Sequence, residues 1–150
     1  MPRRDLISLD GNENYGLNVF DTVGLGGANR PGDVMVVQAM FRFLHDVHIE
    51  QEYPYPSMEG KDIEPNGIVG NRTIQAITNY QRRNSTWVLS TDGVIHPAKY
   101  ENRKITSGLG KRLMTITYLH LEVWLADNTL DYTREIARRF PNVAFWIGIR

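Results

Sequence analysis

Residues 34–46 carry apolar side chains at helical spacing. Val34, Val37, Phe41 and Leu44 share one face with Met40 beside them, and Gln38, Arg42 and His45 lie opposite. Asp33 precedes this run and reads as its N-cap. A second amphipathic helix is predicted over 71–83. Ile74, Ile77 and Gln81 form its stripe, Ala76 and Tyr80 flank it, and Arg72, Gln75, Asn79, Arg82 and Arg83 face water. Asn71 suits the cap of this helix, and Arg82 and Arg83 complement its dipole. Residues 131–140 read as a third helical stretch capped by Asp131, with Tyr132, Ile136 and Phe140 on one face and Pro141 as its stop. Between these, Met114, Ile116 and Tyr118 alternate with Thr115 and Thr117, which predicts a strand, and 119–125 fits either state. Val143 to Ile149 reads as a buried strand or docking tail.

The remaining segments lack a helical period. Glycines interrupt 1–32 repeatedly, leaving Leu17, Val19 and Phe20 as a short strand or anchor. The stretch 24–31 is a tight loop. It lacks the Gly-Lys-Ser/Thr ending of a phosphate loop. The 47–66 loop contains Tyr53-Pro54-Tyr55-Pro56, whose tyrosines would cover the helix end or stack on a sugar or peptide. Asp92-Gly93 marks a turn, Val94-Ile95 an apolar anchor, Pro97 the start of a short helix, and 101–112 a linker or surface loop. No internal repeat stands out.

Composition narrows the class. A chain of 150 residues with 41% apolar content is long and apolar enough for a globular core. Its 17 basic and 17 acidic side chains balance, which argues against a nucleic-acid binder. No apolar run approaches the roughly 18 residues of a membrane span. The absence of cysteine excludes disulfides, thiolate metal sites and a cysteine nucleophile. Arg3 and Arg4 are followed by Asp5 and Asp10 rather than by an apolar stretch, so the N-terminus does not read as a secretory signal. The chain is expected to be made in the cytoplasm, and would reach a periplasm or cell wall by another route.

Two segments carry further information. Asp33-Val34-Met35-Val36-Val37-Gln38 opens the first helix. Asn66-Gly67-Ile68-Val69-Gly70-Asn71-Arg72-Thr73-Ile74-Gln75-Ala76-Ile77, continuing to Tyr80-Gln81, turns sharply into the second. This pattern resembles the peptidoglycan-binding domain family, a small three-helix cell-wall-binding module, over roughly residues 22–105. The family pattern is a helix with Val-Gln, then Asp-Gly-x-x-Gly-x-x-Thr-x-x-Ala-Ile/Val-x-x-Phe-Gln, then a closing Asp-Gly. Asn66 stands where the family has Asp, Val69 where an aromatic is common, and Tyr80 where Phe is usual.

The resemblance implies a mainly α fold, a three-helix bundle with long loops plus a small α+β C-terminal extension. The expected divisions are a Gly-rich lead-in at 1–32, the binding module at 33–107 and the extension at 108–150. It implies non-catalytic binding of bacterial or phage-related cell-wall peptidoglycan, stem peptide or glycan, without cofactor or metal. Asn66, Gly67, Val69, Gly70, Asn71, Arg72 and Thr73 would form the ligand site, with Tyr53 and Tyr55 as accessory stacking residues. Gln38 and Gln81 are expected to bridge the backbone of neighbouring segments.

Other readings use other residues. The same scaffold would serve as a structural adaptor docking a protein of an envelope, secretion or injection apparatus. A small cell-wall hydrolase would use His120 and Glu122, two apart on one strand face. His45 and His48 are three apart rather than the four of the usual helical zinc pair. No Gly-x-Ser-x-Gly is present, and no set of catalytic groups visibly converges. Trp124, Phe140, Phe145 and Trp146 load the C-terminal segment with apolar surface, and edge-strand pairing through 113–149 is one route to a homo-oligomer.

Overall fold

The structure, a computed structural model, describes residues 2–9, 12–98, 104–105, 112–127 and 131–149. Strand β1 (Arg3–Leu9) pairs antiparallel with β2 (Asn12–Asn18). The short β3 (Val23–Gly24) follows, and then the long helix α1 (Pro31–Glu50). Helix α2 (Asn71–Arg83) comes next, followed by β4 (Val94–Ile95) and β5 (Lys104–Ile105). Three helices close the chain: α3 (Thr115–Ala126), α4 (Tyr132–Arg139) and α5 (Pro141–Trp146). One sheet has the order β2-β1-β5, with β5 parallel to β1, and the other pairs β3 with β4 antiparallel.

This corrects the mainly α three-helix expectation: the described residues form a mixed α+β fold of five helices and two small sheets. Helix α1 is its axis. Its residues from Gly32 to Met40 are buried, because β2, β3, α3, α4 and α5 pack against the helix, and Thr73 and Tyr80 of α2 meet it through Gln38 and Phe41. One apolar cluster runs from Leu17 and Val19 through α1 and Tyr80 to Leu119, Ile136 and Val143. The lead-in, the central segment and the C-terminal segment all contribute to it.

The corrections have physical causes. Asp33 is not the N-cap of α1. Pro31, whose fixed φ suits a first helical position, starts the helix earlier. The Asp33 carboxylate instead accepts from the backbone N–H of Phe20 at 2.9 Å and of Asp21 at 3.0 Å, holding the entry loop on the helix. Gly70, not Asn71, occupies the cap position of α2, with no side-chain cap. Residues 115–126 are helix, not strand. Ile116, Leu119, His120 and Val123 are buried at helical spacing against α1 and β2, and this tertiary burial overrides the local Thr alternation. Pro141 ends α4 and also opens α5, so 143–146 is helical rather than extended. Edge-strand pairing through 113–149 therefore has no strand to use among the described residues. Residues 97–98 are not helical, and the rest of the helix expected from Pro97, like most of the 101–112 linker, lies outside the described residues.

The Asp131 cap of α4 is present, accepting from Thr133 N–H at 3.0 Å. Arg4 of β1 pairs with Asp131 and donates to Thr133 Oγ1 at 2.7 Å, joining the hairpin to α4. Arg139 of α4 reaches Glu50 at the end of α1 at 2.7 Å. Asn18 exchanges hydrogen bonds with the backbone of Ala98 at 2.8 and 3.1 Å. No helix among the described residues is long and apolar enough to cross a membrane.

Candidate functional site

The segment before α2 is shaped by one buried glutamine. Gln38 Oε1 accepts from the backbone N–H of Asn66 at 3.0 Å and of Gly67 at 2.9 Å. Its Nε2 donates to the Ile68 carbonyl at 2.9 Å, to Thr73 Oγ1 at 3.1 Å and to Asn66 Oδ1 at 3.2 Å. Asn66 Oδ1 also accepts from Ile68 N–H at 2.9 Å, closing a turn in which Gly67 has φ +77°.

The same clamp recurs one element later. Gln81 Oε1 accepts from Gly93 N–H at 2.8 Å, and its Nε2 donates to the Val94 carbonyl at 2.9 Å. Asp92 Oδ1 accepts from Val94 N–H at 3.0 Å, and Gly93 has φ +78°. Each helix thus carries a glutamine that holds an Asx-Gly turn downstream of it. The repeat is geometric: matching residues lie at different separations in the sequence, so no fixed period reveals it.

These bonds assign the predicted site residues to different tasks. Asn66 is committed to the turn, Gly67 is buried against α1, and Thr73 is buried beneath Gln38. Val69 is half-buried and packs against the core. Gly70 and Asn71 are exposed at the start of α2. Arg72 lines a surface groove, and the other residues of the predicted loop site do not. Of the tyrosines, Tyr53 stacks on His48 with ring centroids 4.3 Å apart, and Tyr55 is 94% exposed.

The groove has a volume of about 340 Å³ and lies between α2 and the 58–63 segment. Arg72, Gln75, Ala76 and Asn79 form its helical wall at spacings of three and four, and Met58, Glu59, Asp62 and Ile63 form the other. In the sequence Gln75 and Asn79 read only as water-facing, because an outward polar stripe on a helix is the ordinary solvated face. What makes them a wall is the packing of 58–63 beside them.

Two histidines hold that second wall. His45 Nδ1 lies 2.7 Å from the Ser57 carbonyl, and Ser57 N–H donates to His48 Nδ1 at 2.9 Å. His48 is therefore neutral at that nitrogen. Burial lowers its pKa, the Arg83 guanidinium and the neighbouring His45 ring lower it further, and Glu59 opposes them. Both Nδ1 atoms are engaged with Ser57, and among the described residues no group of three or more His, Asp or Glu is placed to hold a metal ion. Glu59 accepts from Ser57 Oγ at 2.7 Å and from Arg83 at 2.7 and 3.2 Å. Burial raises its pKa, but these hydrogen bonds outweigh burial and hold the carboxyl below its ordinary value.

The pair His120 and Glu122 does not share a face. The helical geometry of α3 points residues two apart in different directions. His120, 1% exposed, meets Tyr132 with Nδ1 2.7 Å from Oη, and burial pushes its pKa down to about 4. Glu122 accepts from the Tyr80 hydroxyl at 2.6 Å. Burial first, and then the Glu122 charge, push Tyr80 well above its usual pKa. The glycine-rich 24–31 loop is consumed by its own hydrogen bonds: Asn29 N–H donates to the Thr22 carbonyl at 2.9 Å, and Asn29 Oδ1 accepts from Gly24 N–H at 2.8 Å.

Comparisons of the chain with family models, with curated proteins and with solved structures gave no match.

Proposed function

We propose that the protein is a non-catalytic module that binds bacterial cell-wall peptidoglycan through the groove beside α2. One observation carries this reading. Asp62, Arg72, Gln75 and Asn79 line the groove, and none of their side chains makes a hydrogen bond or ion pair within the described chain. Their donors and acceptors are available to a ligand over an apolar floor of Ile63 and Ala76, each 4% exposed. The resemblance of the 33–38 and 66–81 segments to the peptidoglycan-binding family supplies the ligand class. The proposed site lies on the flank of the 66–73 loop and keeps Arg72, because the side chains of Asn66 and Thr73 are bonded to Gln38.

Co-sedimentation with insoluble peptidoglycan tests this, using the parent beside a Gln75→Ala, Asn79→Ala variant. These are exposed helix positions, so the variant is expected to stay folded. Parent binding that falls in the folded variant supports the reading. Absence of parent binding across several wall chemistries refutes it and redirects the search to a protein partner. Leu125 and Phe145, 72% and 75% exposed, are the place to begin that search.

A further inference from the structure

This inference rests on the groove reading above and concerns what the groove selects. Its walls carry opposite charges: Arg72 on the α2 wall and Asp62 on the facing segment, both exposed and neither paired within the described chain. The second carboxylate, Glu59, is unavailable, because its side chain is only 6% exposed and bound by Arg83 and Ser57. Gln75 and Asn79 lie along the same helical stripe as Arg72, and each amide offers both donors and an acceptor.

Ligand classes meet this arrangement differently. A neutral glycan would use the amides and leave both charges to water. A polyphosphate would be drawn to Arg72 but repelled by Asp62, and a simple amine would meet the reverse. A peptide carrying both a carboxylate and an ammonium group matches both walls, and its backbone amides match Gln75 and Asn79. The volume of about 340 Å³ lies at the low end of ligand pockets, the size of about two or three residues.

We propose that the groove recognises a short zwitterionic peptide, with its carboxylate on Arg72, its ammonium on Asp62 and its amides on Gln75 and Asn79. In peptidoglycan this chemistry belongs to stem peptides that contain a diamino residue with a free side-chain amine, not to the glycan strands.

The test uses one wall preparation in three forms: native with free amines, N-acetylated, and with its carboxylates converted to amides. Parent binding is expected to fall about two- to fivefold on either modification, as for exposed ion pairs. Asp62→Asn is expected to bind native walls more weakly and to ignore acetylation, and Arg72→Gln to ignore amidation. Urea unfolding of each variant establishes that it is folded. Equal parent binding to all three preparations overturns the zwitterion assignment and leaves wall binding standing. No parent binding to native walls overturns both.

Discussion

Acidification is expected to unfold this protein partly through one ring. His120 is 1% exposed, is 2.7 Å from Tyr132 Oη, and lies so close beneath β2 that a Cβ at Gly16 would overlap its ring. Burial pushes its pKa from 6.5 to about 4. Below pH 6.5 the unfolded chain takes up a proton that the folded chain refuses until about pH 4, so stability is lost as pH falls through this window. At about 1.4 kcal/mol per unit, the gap corresponds to about 3 kcal/mol. That is a large part of the about 5–15 kcal/mol that holds a typical domain folded.

Urea unfolding at a series of pH values from 7 to 4.5 would measure it. The window stops there because Glu50, Glu59, Asp92 and Glu135 also have lowered pKa values and add their own losses further down, Glu135 near 2. The comparison is His120→Asn, whose amide still offers Tyr132 a partner but does not titrate. This variant is expected to start less stable, having lost ring packing, and to fall less steeply with acid. Equal slopes in parent and variant would refute the assignment of the acid sensitivity to His120.

Gln38→Ala leaves the turn at 66–68 without its clamp inside a buried site, and is expected to cost about 3 kcal/mol in urea unfolding. Gln38→Glu keeps an acceptor for Asn66 and Gly67 but no donor for the Ile68 carbonyl, so it is expected to lose stability as well. Gly60→Ala places a Cβ onto the Phe41 carbonyl of α1 and is expected to cost about 2 kcal/mol, measured the same way. His48, whose pKa is lowered by burial and then by Arg83 and His45, supports Ser57 only while neutral. Hydrogen-exchange protection of the Ser57 amide is therefore expected to fall as pH drops below 6.5, and constant protection from pH 7.5 to 5 would contradict this.

The chain's own pattern determined α2, because its apolar stripe is a local signal. It determined the body of α1, the cap at Asp131 and the bridging roles of Gln38 and Gln81 for the same reason: each depends on residue type at short range or on a buried amide needing partners.

Other features were decided only in three dimensions. Residues 115–126 became helix because α1 and β2 bury their Ile116, Leu119, His120 and Val123 face, a burial that no local propensity encodes. His120 and Glu122 looked like a pair and were separated by that helix. Asn66 and Thr73 looked like ligand residues and were claimed by Gln38 from another element. The groove forms where two histidines of α1 hold the Ser57 backbone, Arg42 holds the Ile63 carbonyl and Arg83 of α2 holds Glu59, which together set a second wall beside the outward face of α2. The bodies of α1 and α2 and the Asp131 cap follow from signals within a few residues of sequence, whereas α3 and the groove form where distant segments meet, and the groove's membership follows from which polar groups the fold has left without partners.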